Sequence, residues 1–224
     1  SGGNIVLKRG MQGMDRGMLQ AEGNITAKFL ENCKVRCKGM LKADAILHSD
    51  VECQENVDIL GKKGLINGGS LSTYADVHAT TLGSTMGAST KIKIISDKEL
   101  IIRANEIKEE VENKEETLRK IDEVVNRVKG QLASNQEVLP EQMNYLKQAT
   151  VNKPLLVKQI RELREEREKL LVRIEKNKHS CIRVEGAVYS GIDITVKDVS
   201  KIQHEQVSHC RFVRDGADVR IVGL

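Results

Sequence analysis

Apolar and polar residues alternate along Gly23–Cys53, and they do so twice. The units GNITAKFLENCKVRCK (Gly23–Lys38) and GMLKADAILHSDVECQ (Gly39–Gln54) align at an offset of 16 residues. Gly23 falls on Gly39, Ile25 on Leu41, Ala27 on Ala43, Val35 on Val51 and Cys37 on Cys53. Within the first unit the inward set reads Ile25, Ala27, Phe29, then Cys33, Val35, Cys37. Alternation of this kind gives a strand one buried and one solvated face. A fixed period with matching inward residues means similar units stacked on one another. The pattern predicts one β-solenoid coil per unit.

The same columns extend both ways. Gly3–Leu7 opens an earlier coil, and Leu19 and Ala21 take the places of Val35 and Cys37. Between them Gly10–Gly17 (GMQGMDRG) reads as a loop. Its Met11 and Met14 are soft apolar groups that either pack on the solenoid rim or meet a partner. The next coil starts at Glu55, with Val57 and Ile59 under Leu41 and Ala43, and reads as two residues shorter than its neighbours. Its corner, Gly61–Gly69 (GKKGLINGG), is glycine-rich and basic. It lacks the order of a phosphate-binding loop, so tight turning is the better account. A further coil carries Leu71, Thr73, Val77, Ala79 and Thr81, then Gly83–Thr90 and a strand at Lys91–Ile95. His48 and His78 lie near strand ends, where a base for acyl transfer or a merely solvated imidazole would look alike; the sequence offers neither one a partner.

At Ser96 the period changes. Ser96 or Asp97 suits a helix N-cap. Leu100, Ala104, Ile107, Val111, Lys114, Leu118, Ile121, Val125, Val128 and Leu132 then step by four and three. A second such seam runs Leu146, Ala149, Lys153, Leu156, Ile160, Leu163, Arg167, Leu170, Ile174. Two heptad seams joined by the polar stretch Ser134–Pro140 predict an antiparallel coiled-coil hairpin, about 50 Å long at ~1.5 Å per residue. Pro154 predicts a break near Asn152–Lys153. Lys153 and Arg167 interrupt the second seam. They fix its register, mark a frayed stretch, or offer a place for a third helix. Alternation returns after Lys178, and Asp215-Gly216 between Cys210–Val213 and Val219–Val222 signals a hairpin. These last strands should cover the open end of the solenoid. The organisation is residues 1–96 as the first part of the solenoid, 97–179 as the hairpin insertion and 180–224 as return strands and cap.

Composition narrows the function. The chain has no Trp, three Tyr and two Phe, which suits thin aliphatic layers and leaves few platforms for sugars or single-stranded nucleic acid. Net charge is only +4, from 36 basic and 32 acidic residues, so no nucleic-acid partner is demanded. Outward Lys34, Arg36, Lys38, Lys42, Lys62 and Lys63 interleave with Asp44, Asp50, Glu52 and Asp58. Five cysteines, an odd number, read as small buried groups in a reducing compartment. A metal site from Cys33, Cys37 and Cys53 lacks an evident fourth ligand; a Cys37–Cys53 disulfide is sterically possible, but nothing else suggests it. No cofactor or metal is expected. No apolar run is long enough to span a membrane. The opening Ser-Gly-Gly without Met leaves an upstream segment open.

The run GNIVLKRGMQGMDRGMLQAEGNITAKFLENCKVRCKGMLKADAILHSDVEC, followed by GKKGLINGG, GSTMGAST and a long coiled coil, resembles the flagellar assembly protein A family. The likeness covers nearly the whole chain. It is most specific at Gly61–Gly69 and Gly3–Lys28, and looser at VYSGIDITV near the end. The resemblance implies a bacterial cytoplasmic protein with a right-handed β-helix and an inserted coiled coil. It also implies a link to flagellar assembly and no catalytic residue set. Many members carry a further N-terminal domain, which this chain would lack.

The fold class expected is mainly β: a right-handed single-stranded β-helix with an inserted antiparallel two-helix coiled coil. The function expected is a non-enzymatic assembly or regulatory scaffold of the bacterial cytoplasm, working through protein–protein contacts, with self-association open. The alternative is a β-helix enzyme acting on polysaccharide or transferring acyl groups. The candidate protein-contact residues are Met11, Met14, Lys153 and Arg167.

Overall fold

The computed structural model describes residues 1–134 and 137–224. The first strands are β1 (Ile5–Leu7), β2 (Met11–Ala21), β3 (Ile25–Cys37), β4 (Leu41–Cys53) and β5 (Val57–Ile59). They are followed by β6 (Leu65–Thr73), β7 (Val77–Ala79), β8 (Thr81–Leu82) and β9 (Thr90–Ile95). Two helices come next, α1 (Lys98–Ala133) and α2 (Pro140–Asn177). The chain ends with β10 (Ile182–Val188), β11 (Ile192–Lys197), β12 (Val199–Gln203), β13 (Val207–Asp215) and β14 (Asp218–Gly223). It divides into two compact units: Ser1–Asp97 with Lys176–Leu224, and Lys98–Glu175.

The first unit is a β-solenoid, built by parallel pairing of each coil on the one before. One inward column runs Ile5, Ile25, Leu41, Val57, Val77, Ile182. A second runs Met11, Leu30, Ile46, Ile66, Leu82, Val188. A third runs Leu19, Val35, Val51, Leu71, Ile92, Ile194. Each column is aliphatic apart from Met11, and together they make one continuous core. The last coil is covered by antiparallel strands: β12 on β11, β13 on β10, and β14 on β13.

Three expectations for the solenoid change. The stretch read as a loop is strand from Met11 onward: it lies in β2, which bulges between Gln12 and Gly17 while keeping register on both sides. The coil after Glu55 is longer, not shorter: Leu41 to Val57 is 16 residues and Val57 to Val77 is 20. The extra residues turn out at Leu60–Gly64, so Leu65 and Ile66 of the supposed corner already belong to a strand. The inward alternation also slips at Phe29. A bend there sends Leu30 to the core, fully buried, and leaves Phe29 partly exposed. A second bend uses left-handed backbone at Asn32 (φ 49°) and His48 (φ 46°), stacked above Gly68 (φ 75°). Asn and His are among the side chains that tolerate this region, and glycine has no Cβ to oppose it.

A third corner is tied by side chains. Asn4 Oδ1 accepts the Asn24 amide at 2.7 Å, and Asn24 Oδ1 accepts the Met40 amide at 2.8 Å. Asp76 Oδ1 does the same for Cys181 at 2.8 Å. Asn24 is thus committed to the ladder through its side-chain oxygen.

The second unit is an antiparallel hairpin. Ion pairs join its helices from Arg103–Glu166 to Lys153–Asp122, and Ile107, Val111 and Ile160 form the centre of its core. Every residue of the α2 seam is buried or half-buried, while Leu132 at the end of the α1 seam is exposed. The break expected at Asn152–Lys153 is absent: α2 continues through Pro154. Proline removes one interior hydrogen bond, at a cost of about 3 kcal/mol. Inward packing of Leu146 and Ala149 before it and Leu156 and Ile160 after it offsets that loss. Pro140 opens α2 at the position where a missing amide costs least. The turn expected over Ser134–Pro140 falls partly on residues 135 and 136, outside the described residues.

Where the chain leaves the solenoid and returns, a buried polar cluster holds it. Asp97 accepts from Asn177 Nδ2 at 3.2 Å and lies 3.7 Å from Lys197 Nζ. Asp97→Ala should therefore lower stability by about 3 kcal/mol, because it strands buried partners; Asp97→Asn should cost less. Asn24→Ala should cost about 1–2 kcal/mol by orphaning the Met40 amide. Urea midpoints followed by circular dichroism check both, and an unchanged midpoint for Asn24→Ala would refute the ladder's role.

Candidate interaction surfaces and a thiol pair

The β2 bulge carries the first candidates. Met14 and Asp15 are both left-handed (φ 47° and 60°), which throws Met14 outward, 74% exposed. Met11 turns the other way, against the solenoid core. The two methionines therefore differ: one shapes the bulge from below and the other presents it.

Lys153 and Arg167 are engaged within the hairpin. Lys153 pairs with Asp122, and Arg167 donates to the Ala104 carbonyl at 3.2 Å. Lys114 on the facing seam reaches Gln159 at 3.2 Å. Each polar seam residue thus finds a cross-helix acceptor. What the heptad reading overlooked lies off the seam: Val151, Leu155 and Val157 are 65%, 57% and 46% exposed. Apolar residues outside the a and d positions were the available signal.

The outward charges of the solenoid answer one another between coils. Arg36 meets Glu52 at 3.0 Å, Lys38 meets Glu22 at 2.5 Å, and Lys34 sits opposite Asp50. The interleaving of outward charges along the chain thus becomes pairing between coils. His78 does have a partner: its Nδ1 lies 3.3 Å from Asp58, whose other oxygen is 3.9 Å from Lys42. Along that row the neighbours are Lys42 and Arg183, so His78 and Asp58 stand within a ladder of charges.

Cys37 and Cys53 face each other on adjacent coils, both buried, beside a groove of about 400 Å³. Cys37 Sγ donates to the Gly23 carbonyl at 3.1 Å, and Cys53 Sγ to the Gly39 carbonyl at 3.0 Å. Hydrogen bonding from Cys53 pulls the Cys37 thiol down to about 7, against the effect of burial. The same contact, with burial, pushes Cys53 up. Cys33 is a separate case, its amide held by the Ser49 hydroxyl at 3.2 Å and its thiol raised by burial. Among the described residues no three His, Cys, Asp or Glu side chains are grouped to hold a metal, and no helix is long and apolar enough to cross a membrane.

Comparison with known proteins agrees with this architecture. The family model of the Flagellar Assembly Protein A beta solenoid domain matches residues 1–219. No curated protein and no solved structure matches the chain. The coil columns, the inserted hairpin and a match over nearly the full length lead to one assignment: the chain belongs to the flagellar assembly protein A family.

Proposed function

We propose that this chain is a non-enzymatic assembly or regulatory scaffold of the bacterial cytoplasm, serving flagellar assembly through protein–protein contacts. The observation that carries the reading is a group of aliphatic side chains left exposed near the middle of the second helix, Val151, Leu155 and Val157. A two-helix coiled coil satisfied by its own seam has no internal use for them. Exposed aliphatic groups beside a polar surface suit a protein partner. Met14 on its bulge is the second contact, shaped by Met11 beneath it, while Lys153 and Arg167 set the register of the helices that present the first. The family's name supports the flagellar setting, and the largely paired charges of the solenoid favour a docking body over a nucleic-acid binder.

The test is flagellation in cells carrying Val151→Glu with Leu155→Glu, and separately Met14→Asp, at wild-type protein levels. Loss of an interface anchor weakens binding by about 2 kcal/mol or more, near thirtyfold. The double variant should sharply reduce the number of flagella counted by electron microscopy, and Met14→Asp should give a smaller reduction. Normal flagellation in both would reject the scaffold reading.

A further inference from the structure

We infer that Cys37 and Cys53 form a two-coordinate site for a soft monovalent cation, copper(I) being the natural occupant. The two residues are direct partners on neighbouring parallel strands, so their side chains leave the wall in the same direction, one coil apart. Neighbouring strands lie ~4.8 Å apart. Two thiolates in line across one metal ion, with bonds no longer than the about 2.3 Å of zinc–thiolate, place their sulfurs about 4.5 Å apart. The coil spacing alone supplies that separation. The ~4.8 Å between neighbouring strands also falls in the ~4.4–6.8 Å Cα range of disulfides, yet both cysteines are free thiols, each donating to a carbonyl of its own turn.

The surroundings select the ion. Thiolates are soft ligands that favour copper(I). Zinc requires four ligands, and among the described residues no third or fourth His, Cys, Asp or Glu joins the pair. Above the pair in the same column is Ala21; below it Thr73 has its hydroxyl turned to the Glu55 carbonyl at 2.5 Å. Neither offers a competing soft donor. The groove beside the sulfurs, lined by Gln20, Arg36, Lys38 and Tyr74 among others, gives a path inward. Binding is balanced as one copper(I) plus two thiols giving a bis-thiolate of charge −1 and two protons released to solvent. Those protons are the ones now donated to the Gly23 and Gly39 carbonyls.

The experiment titrates the reduced chain, without oxygen, with copper(I) against the colorimetric chelator bicinchoninate. One copper per chain should be withdrawn from the chelator. Cys37→Ala and Cys53→Ala should each weaken retention by at least about 100-fold, the loss of half the ligand set exceeding the 10–100-fold cost of an outer-shell change. Alanine already occupies this column at Ala21, so both variants should keep the circular dichroism of the parent. Cys33→Ala and Cys210→Ala should bind copper as the parent does. X-ray absorption at the copper edge should show two sulfur neighbours. Failure to compete with the chelator, copper retained by Cys37→Ala, a third sulfur neighbour, or equally tight zinc binding would each overturn the proposal.

Discussion

The parallel ladder between coils is the constraint on which the solenoid depends. Each backbone group on a coil is paired with the coil before it, so register passes from one level to the next without slipping. A slip of one residue would turn every inward aliphatic outward. The ladder therefore makes each column a stack of similar side chains: Ile25 on Leu41 on Val57 on Val77. It also explains the scarcity of aromatics, since a thin core filled by stacked Ile, Val and Leu has little room for wide rings. The ladder ends in unpaired groups, and β12 and β13 turn antiparallel to satisfy the last coil.

Corners absorb what the ladder cannot. The β2 bulge adds residues at one bend and Leu60–Gly64 adds them at another, while the strands on either side keep their partners. The 78 residues from Lys98 to Glu175 form a compact unit inserted by the same rule. Register on both sides survives because Ile94 and Val196 remain partners across the insertion. The buried Asp97, Asn177 and Lys197 then close the gap in the wall. An insertion at a bend interrupts no ladder bond, whereas one inside a strand would interrupt several.

The two units obey different rules for polar residues. On the solenoid, charges stack at the coil spacing and cancel along rows, as in Arg36–Glu52 and Lys42–Asp58–His78. In the hairpin, polar residues inside the seam are answered from the facing helix, as Lys153 is by Asp122 and Arg167 by the Ala104 carbonyl. Met14, Val151 and Leu155 have no such answer and stay exposed. Cys37 and Cys53 are the exception inside the wall, a pair of buried thiols stacked where other coils place Ala21 and Thr73.

The sequence by itself determined the repeat, the inward columns, both helical seams and the site of the insertion. All of these are periodic, and periodicity is a property of neighbouring residues that alternation and heptads display directly. It carried the Cys37–Cys53 stacking as well, since equal offsets place equal residues together. Only the tertiary structure decided where the coil bends, because Phe29 and Leu30 are equally apolar and the turn between them follows from the angle of the wall. It decided that Pro154 sits inside a continuous helix, where packing on both sides outweighs one missing hydrogen bond. It decided too that Asp58 meets His78 and Asp97 meets Asn177 and Lys197. Those partners lie 20, 80 and 100 residues apart, and only closure of the coils brings them within reach.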